Sequence, residues 1–289
     1  MKPNLPIVWT AIITPLKESG EIDFKSMEHL VTEQVQAQNG ILFLGSTGEA
    51  LNLSEREKEQ ILQWFKDNKP AVPTMCGVGG SDLEATLRWI DTINRYPFDC
   101  YLMVTPPYAK PGDEGQKHWF TRLMNQSSKP CILYNVPGRT ACSLSRKALL
   151  ELQTHTHFLG IKESSGSVEE FKKYKAVLPK HAVYCGDDLL MPEFSKLGAC
   201  GLISVASNVW PKATNVYAKQ CLGQIFKDHE LWKEASNSLF TASNPVPVKY
   251  LLNKNGWIQS AKVKLPLSEM DFIDASSIIE ANKKISHWM

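Results

Sequence analysis

Phe158-Leu159-Gly160-Ile161-Lys162-Glu163-Ser164-Ser165-Gly166 reads as a short apolar strand that ends in a lysine and then breaks into small polar residues. A lysine is a costly choice there, because moving an ammonium out of water is unfavourable by several kcal/mol unless it is paired or loses its proton. Loss of the proton is useful chemistry. A desolvated lysine is partly free amine at neutral pH, and a free amine attacks a carbonyl to form a Schiff base. The plainer reading puts Lys162 just past the strand end, with its ammonium in water or paired to Glu163.

Similar apolar runs recur along the chain, at 7–13, 41–44, 74–78, 100–104, 131–136, 158–162, 182–185 and 201–205. Successive runs begin between 19 residues apart (Ala182 to Gly201) and 34 apart (Ile7 to Ile41), room for a strand, a helix and two short loops. The intervening segments carry helix signals. Residues 23–38 open on Asp23 and close before Asn39-Gly40, a left-handed stop. Ser54 and Glu57 form a capping box ahead of Ile61, Leu62 and Phe65. Ser81 is the expected cap of a helix over 83–96, with Leu83, Leu87 and Ile90 on one face. Further helices are predicted over 116–124, 145–152, 168–177, 189–197 and 211–222. Strand and helix alternating eight times predict an α/β fold, a (β/α)8 TIM barrel ringed by helices. An open doubly wound sheet fits the same periodicity. After Gln224 the strand pattern stops, and helices are expected within 227–240, 245–254 and 270–288. The predicted organisation is a catalytic barrel over 1–224 and a C-terminal helical region over 225–289.

With 289 residues, 43% hydrophobic and 21% charged, the chain can bury a substantial core. Its formal charge of +2 has no basic run behind it, so neither nucleic acid nor an anionic membrane is an expected partner. Seven cysteines without a Cys-x-x-Cys pair read as reduced thiols of a cytoplasmic protein. The apolar run at 7–13 follows Lys2 as in a signal peptide, yet Pro6 and Pro15 bracket it and no small-residue cleavage site follows. A strand fits better. No run of about 18 apolar residues suggests a membrane span.

In such a barrel the site forms at the C-terminal ends of the strands. Those ends carry Gly45-Ser46-Thr47-Gly48-Glu49, Thr105-Pro106-Pro107-Tyr108, Tyr134-Asn135-Val136-Pro137-Gly138-Arg139-Thr140, Lys162, Gly186-Asp187-Asp188, and Ile203 through Asn208. An amine to attack, phenols to move protons, and amides with a hydroxyl to hold a carboxylate suit imine chemistry. Each part has a duller reading. Gly45 to Glu49 can be a tight turn, and it lacks the Gly-Lys-Ser/Thr of a phosphate loop. Tyr134 can be core and Arg139 an exposed turn residue. Asp187-Asp188 could suggest a metal, but no histidine cluster accompanies the pair, and His155 and His157 read as solvated. No metal and no cofactor is expected.

Over nearly its whole length the sequence resembles the dihydrodipicolinate synthase group of pyruvate-dependent, Schiff-base-forming aldolases. Gly45 to Glu49 and Gly160-Ile161-Lys162-Glu163 resemble the wider superfamily, which includes N-acetylneuraminate lyase. Tyr134 to Thr140, Gly186 to Asp188 with Gly201 to Val209, and Asn244-Pro245-Val246-Pro247-Val248-Lys249 resemble the narrower group. The resemblance implies that Lys162 condenses with pyruvate, and that Thr47 with backbone near Ile203 holds the pyruvate carboxylate. Tyr134 moves protons, in a hydroxyl relay with Ser46 and a Tyr108 supplied by a neighbouring subunit. Arg139 binds the carboxylate of the second substrate, L-aspartate 4-semialdehyde, and Gly186 belongs with Thr47, Arg139 and Ile203 as substrate-binding. A homo-oligomer, a dimer of dimers, is the implied assembly, and lysine synthesis through diaminopimelate the implied pathway. Ser46 stands where the group usually has threonine, which preserves the hydroxyl. Members inhibited by lysine carry particular polar residues around positions held here by Ala50, Glu55, Lys58, Ser81 and Ala85, so weak or absent inhibition is expected. The alternatives are a sister aldolase acting on another aldehyde, such as a sialic acid or 2-keto-3-deoxy sugar acid aldolase, a metal-dependent aldolase built on Asp187 and Asp188, and a non-catalytic binding protein.

Overall fold

The computed structural model describes residues 5–288. Its strands are β1 (Val8–Ala11), β2 (Gly40–Phe43), β3 (Thr74–Val78), β4 (Cys100–Val104), β5 (Cys131–Asn135), β6 (Phe158–Glu163), β7 (Ala182–Cys185) and β8 (Leu202–Ser204). They pair in chain order, all parallel, and β8 returns to β1 through Trp9 opposite Ile203 and Thr10 opposite Ser204. That closure makes the sheet a barrel and removes the open doubly wound alternative. Alternate side chains point inward, so Trp9, Leu42, Met75, Ile132 and Tyr184 fill the barrel while Ile41, Phe43, Leu133 and Ile161 pack under the helices. Both faces are covered, which is why the strands read as continuous apolar runs instead of alternating ones.

The helices are α1 (Phe24–Gln36), α2 (Glu55–Asp67), α3 (Leu83–Ile93), α4 (Asp113–Gln126), α5 (Pro137–Thr140), α6 (Arg146–Leu152), α7 (Val168–Val177), α8 (Met191–Lys196), α9 (Pro211–Leu222), α10 (His229–Ser238), α11 (Val246–Lys254) and α12 (Ser276–Trp288). The capping box at Ser54 and Glu57 is present as expected. Several boundaries differ from the sequence reading, α3 ending at Ile93 instead of 96 and α4 spanning Asp113–Gln126 instead of 116–124 among them, and three have a clear local reason. Asp82, not Ser81, caps α3, because its carboxylate accepts from the Ala85 N–H at 2.6 Å. After α1 the left-handed residue is Gln38, with φ 58°. Asn39 is drawn into buried bonds with Gln34 and Asn215, and Gly40 already belongs to β2, where a Cβ would lie 2.5 Å from the Trp9 ring. The helix expected from 270 begins at Ser276, where the Asp274 carboxylate caps the Ser276 N–H at 2.8 Å.

Beyond the barrel, α10 packs on α9 and α12 packs on α10. Trp232 stacks on Tyr217 at 4.3 Å and meets Trp288 edge-on at 5.3 Å. Among the described residues no helix is long and apolar enough to cross a membrane.

Candidate active site

Lys162 stands near the C-terminal end of β6 and is 4% exposed. Its neighbour in the sheet register is Tyr134 on β5, and its Nζ lies 4.3 Å from the centroid of the Tyr134 ring. Among the described residues no carboxylate comes within ion-pair distance of that nitrogen. The reading that pairs Lys162 with Glu163 or leaves it in water is therefore corrected. Successive side chains of a strand face opposite ways, so Glu163 points out of the barrel, where Asn135 Nδ2 donates to it at 2.6 Å and the Ser165 amide at 2.9 Å. Burial pushes the Glu163 carboxyl above its ordinary value despite those hydrogen bonds. On the next strand Gly186 makes room for the lysine. A Cβ there would sit 2.6 Å from Lys162 Cε and 2.9 Å from its Cγ.

A cavity of about 740 Å³ opens at this end of the barrel, and its wall includes Ser46, Tyr134, Arg139, Lys162 and Asn244. Ala50, Glu55, Lys58, Ser81 and Ala85 line its outer part. Arg139 is presented by α5, a single turn with Pro137 at its start and a left-handed Ala141 at its end. The sequence showed only a turn there. Its guanidinium has no ion pair or hydrogen bond among the described residues, which leaves it free for an anion.

The other expected residues sit apart from this wall. Thr47 is 2% exposed, next to Ser46, and touches the wall through Asn244, whose Nδ2 donates to its Oγ1 at 2.9 Å. Ile203 is a barrel-interior residue packed in the cluster that contains Tyr134. Tyr108 is 93% exposed and held in a left-handed conformation, φ 70°. Among the described residues of the single chain no hydrogen bond joins Ser46, Tyr134 and Tyr108.

Asp188 is a strap for the end of β8. Its carboxylate accepts from the Ser204 hydroxyl and from the amides of Val205 and Ala206 at 2.8 and 3.2 Å. Asp187 accepts from the Leu189 amide at 3.0 Å. Burial raises both carboxyls above their usual range. Among the described residues no three His, Cys, Asp or Glu side chains form a metal-binding group. His155 and His157, read as solvated, bond to Asn125 and to the Met124 carbonyl at the end of α4.

Sequence reasoning missed what supports this rim. Glu49, 3% exposed and left-handed at φ 57°, pairs with Lys249 at 2.5 Å, and neither side chain reaches water. Glu49 also accepts from the Lys264 amide at 2.6 Å. The Asn208 carboxamide stitches the loop after β8 to the end of β1, accepting from Ile13 N–H at 3.0 Å and donating to Ala11 C=O at 2.9 Å. A signal for Lys249 existed. It is a lysine among Val246, Val248, Leu251 and Leu252, the same anomaly that marks Lys162.

Residues 4–281 match the model of the dihydrodipicolinate synthetase family. The chain is 42% identical over 282 residues to the 4-hydroxy-tetrahydrodipicolinate synthase of Wolbachia pipientis subsp. Culex pipiens, covering 97% of this chain and 96% of the relative. The synthase of Francisella tularensis subsp. novicida is 38% identical over 283 residues, with the same coverage. The crystal structure of the chloride-inhibited dihydrodipicolinate synthase from Acinetobacter baumannii complexed with pyruvate superposes with a TM-score of 0.89, 32% identity and 98% of each chain covered. A parallel barrel with a buried lysine on its sixth strand, matched over nearly its whole length in sequence and in shape, belongs to the dihydrodipicolinate synthetase family.

Proposed function

We propose that the protein is a 4-hydroxy-tetrahydrodipicolinate synthase, a lyase that condenses pyruvate with L-aspartate 4-semialdehyde on the way to diaminopimelate and lysine. The observation that carries the reading is the buried Lys162, free of any carboxylate partner among the described residues, over the Tyr134 ring at the floor of an open cavity. Its amine attacks C2 of pyruvate, and loss of water gives the imine. Tyr134 carries protons to and from the carbinolamine, and removal of a C3 proton leaves an enamine. The enamine carbon attacks the aldehyde carbon of the semialdehyde, a C–C bond forms, and the alkoxide takes up a proton. The amine of the semialdehyde then closes the ring on the former keto carbon and releases Lys162.

In this account Thr47 with backbone near Ile203 holds the pyruvate carboxylate, and Gly186 contributes to the substrate site. Arg139 takes the carboxylate of the second substrate as a planar fork suited to it. Ser46 and Tyr108 complete the relay, Tyr108 entering from a second copy of the chain, so a cytoplasmic homo-oligomer, a dimer of dimers, is the working form. Lysine inhibits it weakly or not at all, given Ala50, Glu55, Lys58, Ser81 and Ala85; strong inhibition at low lysine concentrations would refute this. A sister aldolase would use the same imine with another aldehyde, and the free guanidinium of Arg139 favours the acidic one. Turnover with pyruvate is measured against the semialdehyde and against sugar aldehydes. Preference for the semialdehyde, abolished by Arg139→Ala while imine formation persists, is expected; preference for a sugar aldehyde contradicts the reading.

A further inference from the structure

A threonine hydroxyl has one proton to give and two lone pairs to receive. Asn244 Nδ2 donates to Thr47 Oγ1 at 2.9 Å, which occupies a lone pair and leaves the proton unspent. Among the described residues that proton has no acceptor. The Oδ1 of Asn244 is also buried without a hydrogen-bond partner, in a residue only 6% exposed that lines the cavity. Buried polar groups are nearly always bonded, so two unspent positions on one buried pair mark a place kept for a ligand.

The backbone after Thr47 is held in place. Two residues after Thr47, Glu49 is clamped by Lys249 and the Lys264 amide, and the Thr14 hydroxyl donates to the Gly48 carbonyl at 2.7 Å. Asn244 stands just before α11, the helix that carries Lys249. The C-terminal region thus reaches the strand-end loop through the Lys249–Glu49 ion pair and through hydrogen bonds from the Lys264 amide and from Asn244.

We propose that Asn244 is a positioning residue, one whose amide turns the Thr47 hydroxyl proton toward the cavity so that it donates to the carboxylate of the 2-keto acid. The proposal rests on the carboxylate-holding role given above to Thr47. The test is steady-state kinetics on the full chain, with Asn244→Ala, Thr47→Val and the double variant. Asn244→Ala is expected to raise the KM for pyruvate about tenfold, as loss of a hydrogen bond to a charged group does. The kcat and the KM for the second substrate stay within about twofold. In the Thr47→Val background the same substitution moves the pyruvate KM by less than about twofold, because no proton remains to be aimed. An undiminished effect in that background, or an equal loss across kcat and both KM values, overturns the proposal. If the alanine variant does not fold, Asn244→Leu, close to asparagine in shape, carries the same comparison. Borohydride trapping of pyruvate on the unmodified protein separates the two claims. No adduct on Lys162 removes the imine reading and this proposal together, whereas an adduct with an undiminished effect removes this proposal alone.

Discussion

Gly186 is where a single atom decides the position of the Lys162 side chain. Any side chain there meets Lys162 Cε at 2.6 Å and Ser164 Oγ at 2.0 Å, so Gly186→Ala displaces the lysine stem. A shift of about 1 Å in a reacting group costs on the order of 100-fold in rate. Kinetics of Gly186→Ala are expected to show a loss of that order in a protein that still unfolds cooperatively; unchanged kcat contradicts the packing argument. Glu163, one residue past the lysine, offers a pH test. Burial raises its folded pKa above the ordinary 4.5, so between 4.5 and the folded value the native state holds more protons than the unfolded state. Stability from this group therefore falls as pH rises through that window. The stability advantage of the native protein over Glu163→Gln, measured by urea unfolding, is expected to shrink as pH rises above 4.5; an advantage that grows contradicts the sign. At this scale the sequence was informative about Lys162, because a lysine in an apolar strand is chemically out of place. It was silent on Gly186 as the space for the lysine stem, since that contact arises only when β6 and β7 lie side by side.

An element that holds the rim lies outside the barrel. Lys249 on α11 is fully buried against Glu49, and burial holds its amine below the ordinary value although the carboxylate lies beside it. Removing one partner of such a pair leaves a charge buried and alone, which costs about 3–5 kcal/mol. Lys249→Met is expected to be destabilised by that amount in chemical unfolding. Adding Glu49→Gln, which keeps an acceptor for the Lys264 amide, is expected to recover more than half; no recovery would show that the pair is not the cause. Periodicity gave the strands and most helices their places, since apolar runs on both sides of Lys162 have few other folds to adopt. It misplaced ends where two polar residues competed for one cap, as at Ser81 and Asp82. It missed α5 because a turn of four residues, Pro137–Thr140, is too short to have a period.

For the whole molecule, closure of the barrel brings Ser46, Tyr134, Arg139 and Lys162 to one cavity, and Tyr108 projects away with 93% of its surface exposed. A tyrosine that works in a neighbour's site predicts complementation. Lys162→Ala and Tyr108→Phe subunits, each of low activity, are expected to regain a measurable fraction when mixed and allowed to exchange; exchanged but inactive mixtures contradict a shared site. The central claim is the covalent one. Incubation with pyruvate, reduction with borohydride and peptide mass spectrometry should place a pyruvate-derived mass on Lys162 and on no other lysine. A folded protein that acquires no adduct at Lys162 contradicts the account.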